Sequence, residues 1–176
     1  MAEQPKESWL QWVALTTTIL AVAAAISSLK ASSYSTRIQI STTRESNQWA
    51  YYQAKSIKEH SFRQNRIILS ALELLENKSP AAQNFLLDNI KKYDGEIARY
   101  EKEKEDIKIK AEAHAKEQDV LKRHNGSYGL AVMLLQIAIM LSAVGALIKK
   151  KVLWYGGMAL GAWGLIYMGN GFFLWF

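Results

Sequence analysis

Cysteine is absent from this sequence, so a disulfide, a thiolate nucleophile and a cysteine metal site are all excluded. Histidine is scarce, with three residues, which are not expected to meet when the arms pair, and His124 has no second ligand at helical spacing. Isolated imidazoles make a poor zinc or haem site. The sequence also has no nucleophile beside a base and no paired carboxylates within an apolar stretch. We therefore expect a protein without enzymatic activity, bound metal or cofactor.

Charge is missing from three long apolar stretches, which are Trp9 to Leu29, Tyr128 to Ile148 and Val152 to Phe176. About 20 apolar residues are enough to cross a bilayer, so we predict three transmembrane helices. Residues 1–29 then form an N-terminal tail and an uncleaved signal anchor. A cleaved signal peptide is the alternative, but the first run exceeds the usual core of about 7 to 15 residues. Absence of Asp, Glu, Lys, Arg and His from the spans argues against a proton-coupled transporter.

Residues 30–127 are polar and lie between the first two spans. Ser79 suits a helix N-cap and Pro80 suits the first helical position, which predicts a turn near 77–80, at Asn77-Lys78-Ser79-Pro80. The arms on either side are about equally long, so we predict an antiparallel helical hairpin in which residues equidistant from Ser79 face each other. Residues 32–42 also suit a short strand, but a lone strand would leave an unpaired edge. Asn125-Gly126 is expected to bend or break the second arm.

A heptad repeat runs along the second arm and predicts a coiled coil. One core position holds Ile90, Ile97, Lys104, Ala111 and Gln118, and the other holds Leu86, Tyr93, Tyr100, Ile107, His114 and Leu121. We assign Ile90, Tyr93, Ile97 and Tyr100 to a helix–helix or oligomer interface. The surrounding charges are interspersed. Nucleic-acid binding is not expected, because it needs a basic patch with stacking or base-reading groups.

The first arm contains the decapeptide WAYYQAKSIK, from Trp49 to Lys58. Its Ala50, Ala54 and Ile57 recur at i, i+4 and i+7, which predicts a narrow apolar packing stripe. Trp49 and Tyr52 border this stripe. The alternative is a recognition site for a base, a quinone or a partner protein. Nearer the turn, a broad apolar sector is expected to pack against more than one neighbour; it comprises Ile67, Ile68, Leu72, Leu74 and Leu75.

This decapeptide resembles the signature of an uncharacterised bacterial membrane family, a domain of unknown function. In that family a first span is followed by the motif, a charged helical region and two closing spans. The resemblance runs from about Thr17 to the end of the chain and implies an all-α membrane protein. It implies no activity. The signature residues that it marks, which are also candidate partner contacts, are Trp49, Tyr51, Tyr52, Gln53, Lys55 and Lys58.

Three lysines, Lys149, Lys150 and Lys151, join the second and third spans within residues 128–176. Positively charged short loops face the cytoplasm. We therefore predict a bacterial cytoplasmic (inner) membrane protein with its N-terminus inside and its hairpin in the periplasm.

The last span is rich in glycine and includes Gly157, Gly161 and Gly164. Small residues spaced by four let helices approach closely in lipid. These glycines predict a helix–helix contact, either with the chain's own second span or with another copy.

Two functional hypotheses follow. The first is a non-enzymatic membrane scaffold or assembly protein that self-associates through the glycine face and the lower seam and presents the hairpin to a protein partner. The alternative is a homo-oligomeric channel with an uncharged pore lining, drawn from Thr16, Thr17, Thr18 or Gln136.

Overall fold

The computed structural model describes residues 8–75 and 79–175. Three α-helices make up the fold: α1 (Ser8–Glu73), α2 (Pro80–Leu147) and α3 (Lys151–Phe173). No strand occurs in the two described ranges, which confirms the all-α class. Residues 32–42 belong to α1, so helix rather than strand is confirmed there.

The start of α2 follows the predicted capping chemistry. The Ser79 hydroxyl accepts a hydrogen bond from the Ala82 amide at 3.3 Å, and the Ser79 carbonyl accepts one from the Gln83 amide at 3.1 Å. Pro80 is the first helical residue. The N-cap prediction is therefore confirmed, whereas Asn77 and Lys78 of the expected turn lie outside the described residues.

The expected break at Asn125-Gly126 is wrong, because α2 continues through both residues. A glycine inside a helix costs about 1 kcal/mol relative to alanine. Leu121 and Tyr128 are buried on either side of the pair, and burial of two large side chains outweighs that cost. The helix is thus held by its packing rather than by local preference.

The lysine connection between α2 and α3 is as short as predicted. Lys149 adopts a left-handed conformation, with φ of 55°. The Lys150 amide donates to the Gly145 carbonyl at 2.9 Å and the Lys149 amide donates to the Ala146 carbonyl at 3.3 Å. This pair of bonds closes the C-terminus of α2 in a Schellman motif. The chain then reverses directly into α3.

The chain divides into two compact units. The bundle unit comprises the residues up to Ile40 and those from Gln118 onward, and the hairpin unit comprises Ser41–Glu117. Helices α1 and α2 contribute to both units, and α3 belongs to the bundle unit alone. The sequence analysis placed the segment boundaries at 29/30 and 127/128. Each of these lies roughly ten residues nearer to its end of the chain than the matching boundary between the two units.

The bundle unit is built from small and aliphatic residues. Leu20, Ala23 and Ala24 of α1 form one buried cluster with Leu135 and Ala138 of α2. Within the described residues, α1 and α2 each contain a stretch long and apolar enough to cross a membrane. Helix α3 is not among them, because glycines and aromatic residues interrupt its aliphatic ones. Of the three predicted spans, length and composition therefore support two.

Candidate functional site: the ion-paired hairpin

The predicted heptad seam of α2 is buried against α1 of the same chain. Tyr93 and Tyr100 pack on Phe62, with ring centroids 5.5 and 5.7 Å away. Ile90 and Tyr93 are half-buried, and the buried seam positions of the hairpin unit are Leu86, Ile97, Tyr100, Ile107 and Ala111. The seam is therefore an intramolecular interface. Of the two uses predicted for these residues, the helix–helix contact is present within the chain, and their use between copies stays a prediction.

Helix α1 meets this seam with a polar face. Among the described residues, ion pairs between the helices join Lys55 to Glu103, Glu59 to Lys104, Arg63 to Glu101, and Arg66 to Asp94. The partners in each pair stand at similar distances along the chain from Ser79, as a hairpin turning there requires. Lys104, which the repeat placed at a core position, is accommodated because Glu59 faces it.

Glu59 is the most buried charged residue of the hairpin, with 4% of its surface exposed. Its Oε1 accepts a hydrogen bond from Arg63 Nε at 2.7 Å, and its Oε2 contacts the Lys104 ammonium group. Burial alone would raise the pKa of Glu59, but hydrogen bonds from Lys104 and Arg63 outweigh it and hold the pKa below its ordinary value of 4.5. Glu59 therefore stays ionised inside the seam.

Lys55 and Glu103 form the second strong pair, with Nζ and Oε2 2.6 Å apart. Their hydrogen bond raises the pKa of Lys55 above its ordinary value of 10.5. The same bond lowers the pKa of Glu103 below 4.5. Both groups are thus held in their charged forms near neutral pH.

These shifts predict how hairpin stability depends on pH. Carboxyl groups with lowered pKa values stabilise the fold fully above pH 4.5 and lose that contribution as pH falls through the folded-state value. Lys55, with a raised pKa, contributes fully below pH 10.5 and loses its contribution above it. We expect a stability plateau between these limits, measured as the thermal midpoint of helical circular dichroism in detergent. Glu59→Gln should flatten the acid limb, and stability that rises on acidification would contradict the assignment.

The residues of the decapeptide from Trp49 to Lys58 contribute to this seam to different degrees. Lys55 lies over the rings of Tyr51 and Tyr100, 5.2 Å from each centroid, and Lys104 lies 5.5 Å from that of Tyr52. Trp49 packs edge-on against Tyr52 at 5.7 Å and donates its indole N–H to Glu45 at 3.3 Å. In contrast, Gln53 and Lys58 are exposed. Tyr51, Tyr52 and Lys55 thus have a structural role, and Trp49 with Tyr51 keeps an accessible edge.

The predicted apolar stripe of the decapeptide is not a packing seam within the chain. Ala50, Ala54 and Ile57 are all exposed, and 67% of the Ile57 surface is accessible. The stripe is not covered within the chain because α1 turns its charged face toward α2, where opposite charges and tyrosine rings complement it. The apolar sector nearer the turn is likewise exposed at Ile67, Ile68, Leu72, Leu74 and Leu75.

The glycine face of α3 packs on the chain's own helices. A Cβ atom on Gly157 would meet Ser142 and the Ala138 carbonyl oxygen of α2, the latter at 2.7 Å. On Gly161 it would lie 2.9 Å from Leu20 of α1, and on Gly164 2.9 Å from Leu135 of α2. Of the two partners predicted for this face, the chain's own helices are therefore the ones in place. Self-association through this face stays a prediction.

Several polar side chains of the bundle unit are hydrogen-bonded, whereas among the described residues the buried hydroxyls of Ser27, Tyr128 and Ser142 have no hydrogen-bond partner. Thr16, Thr17 and Thr18 donate their hydroxyls to carbonyls one turn earlier, each at 2.8 Å, as threonines inside helices commonly do. Thr16 also accepts the indole N–H of Trp154 at 3.1 Å, and the Asn170 amide donates to Ser127 at 3.0 Å. Gln136 is exposed.

The three histidines occupy separate environments. His60 is exposed, His114 Nδ1 lies 3.5 Å from Glu117, and His124 Nδ1 lies 2.8 Å from the Gly171 carbonyl oxygen. In the part of the chain that the structure describes, no group of three or more His, Asp or Glu side chains is arranged to hold a metal ion.

Comparison with known proteins supplies a family. Residues 9–174 match the family described as a domain of unknown function, DUF4337. Neither the curated proteins nor the solved structures contain a match to the chain. Because the match spans almost the whole sequence, this protein belongs to the DUF4337 family.

Proposed function

We propose that this protein is a non-enzymatic scaffold of the bacterial cytoplasmic membrane, which is anchored by three helices and presents an ion-paired helical hairpin to a protein partner. The hairpin is the binding element and the bundle unit is the anchor.

The surface of the bundle unit supports the membrane anchor. Large apolar side chains such as Trp12, Ile19, Val22 and Met140 are exposed on it. Soluble monomers rarely expose large contiguous apolar areas, whereas lipid tails solvate such a surface. Helix α3 carries no charged residue after Lys151 and packs its glycines on α1 and α2, so we include it as the third span.

The lysine connection supports the orientation. Lys149, Lys150 and Lys151 are all exposed at the end of the bundle where α2 passes into α3. A short loop with three positive charges is retained on the cytoplasmic side. Residues 30–127, which lie between the first two spans, are then in the periplasm.

The observation that carries the binding role is a set of separately exposed apolar side chains near the turn of the hairpin, which we call the turn cluster: Leu74, Leu75, Phe85 and Leu87. Leu74 is 85% exposed and Phe85 is 65% exposed. The interior of the hairpin, by contrast, holds its ion pairs. Apolar side chains of this size at the free end of a polar element are typical of protein-binding surfaces.

Site-specific photo-crosslinking tests this role in intact membranes. A photoreactive phenylalanine analogue at Phe85 should give one adduct of defined mass, because the side chain is exposed and apolar. The same analogue at Lys102, an exposed position on the polar face of α2, should give none. The membrane anchor is tested separately: washing the membranes with alkaline carbonate should leave the protein in the membrane pellet.

The adduct should disappear when Leu74 and Leu75 are both changed to glutamate. These residues are exposed, so the hairpin itself should keep its helical signal. Equal labelling from Phe85 and Lys102, or an adduct that survives the double change, would contradict a binding role for the turn cluster. Release of the chain by carbonate would contradict the anchor.

A further inference from the structure

Within the hairpin unit, helix α1 carries its charged residues on the side that faces α2. Between Ser41 and Glu73 it has eight Lys, Arg, Asp and Glu residues, and at 100° per residue all of them fall within an arc of about 140°. Four of these residues form the ion pairs to α2. The charged arc therefore faces into the hairpin.

The opposite side of α1 carries an uncharged outer stripe. Its members are Ala50, Ala54, Ile57, Ser61, Gln64 and Ile68, all of which are exposed. A helix hairpin surrounded by water normally places apolar residues inside and charges outside. Here the reverse arrangement leaves an unpartnered face, with 67% of Ile57 and 57% of Ile68 accessible.

We infer that the outer stripe is the surface through which two copies of this chain pair, as a parallel α1–α1 coiled coil. The inference deepens the proposed scaffold function, and it rests on that function only for the parallel direction. Copies inserted into one membrane with the same orientation present α1 in the same direction.

The spacing of the stripe fits this occupant. Its residues alternate at intervals of 4 and 3, the heptad of a coiled coil, with Ala54, Ser61 and Ile68 at one core position. In a parallel pair each core residue meets its own counterpart. Alanine and serine at these positions allow close approach, while isoleucine supplies the apolar contact. The Gln64 amide has both donor and acceptor groups, so two copies of it hydrogen-bond to each other.

The charges at the edges of the stripe also fit a second copy. In the parallel register the flanking residues pair Gln53 with Lys58, His60 with Asn65, and Ile67 with Leu72. No like-charged side chains oppose each other, so the same surface on two chains is compatible. A lipid surface fits less well, because the stripe would bury its Gln64 amide without a partner and has alanines where interfacial helices carry bulky apolar residues.

Single-cysteine crosslinking tests the pairing directly, because the native chain contains no cysteine. Ala54→Cys, Ser61→Cys and Ile68→Cys should each form disulfide dimers in membranes under a mild oxidant, since like positions meet in a parallel pair. The matched controls Ala98→Cys and Ile109→Cys lie on exposed positions of α2 and should not. Dimers at no stripe position, or at one only, would overturn the parallel pair.

A second set of variants separates pairing from folding. Ile57→Glu with Ile68→Glu should reduce disulfide formation at Ser61→Cys at least tenfold, because like charges would then face each other. Both isoleucines are exposed, so circular dichroism should be unchanged, and Ile109→Glu should have no effect. Unchanged crosslinking would overturn the inference. Stripe cysteines that form no dimers but are protected from an aqueous maleimide would also overturn it, because such protection would indicate lipid contact. The Phe85 adduct reports on the partner role independently of either result.

Discussion

Replacing Gly157 with isoleucine should lower the thermal midpoint of the detergent-solubilised protein by roughly 10 °C, from a loss of about 3 kcal/mol. The new Cβ would stand 2.7 Å from the Ala138 carbonyl oxygen and in contact with Ser142. A backbone atom cannot move aside as a flexible side chain can, so α3 must shift away from α2. Tryptophan fluorescence reports the midpoint.

The adjacent glycine provides the control. A Cβ atom on Gly156 has nothing within 4 Å, so Gly156→Ile adds the same side chain without a clash and should leave the midpoint nearly unchanged. Because the partner of Gly157 is the chain's own α2, the effect of Gly157→Ile should not vary with protein concentration. Equal midpoints for the two variants, or an effect that vanishes on dilution, would contradict the intramolecular assignment.

Glu59→Ala should destabilise the hairpin unit by about 2 kcal/mol, since it leaves Lys104 without its counter-charge in a largely buried position. Hydrogen exchange of the amides in Ser41–Glu117 should then be about 30-fold faster. The matched control is Glu105→Ala, which removes an exposed carboxylate from α2 and should change exchange little.

A double substitution tests whether the charges or the packing matter. Glu59→Leu with Lys104→Met fills the same space with apolar groups, and buried ion pairs replaced in this way are often no less stable. Arg63 retains Glu101 as a partner. Exchange should therefore return to near the native rate. If the double variant exchanges as fast as Glu59→Ala, the pair is not the source of the stability.

Several features could be predicted from the sequence because their determinants are local. The cap at Ser79 depends on a serine followed by a proline, and the seam of α2 depends on apolar residues at heptad spacing. Both need only a few neighbouring residues to be recognised. The uncharged stretches of α1 and α2 are similarly explicit in composition.

The partner face of α1 could not be predicted in this way. Its seam is polar, with Lys55, Glu59 and Arg63, and a search for apolar periodicity selected the opposite side, at Ala50, Ala54 and Ile57. A charged residue in a sequence indicates a polar position, but it does not identify the opposite charge with which it will pair. In the ion pairs between α1 and α2, the two partners are separated by 28 residues, for Arg66 and Asp94, to 48 residues, for Lys55 and Glu103.

The sequence by itself determined that this protein is helical, where its hairpin turns and which face of α2 is buried, since these follow from capping and heptad spacing. Only the tertiary structure decided which surfaces are already occupied. Gly157, Gly161 and Gly164 have the spacing of a helix contact whether the partner is the same chain or another, and packing alone assigns them to α1 and α2. The same packing turns the charges of α1 inward and leaves an uncharged stripe outside, because ion pairs across the hairpin need both helices in place.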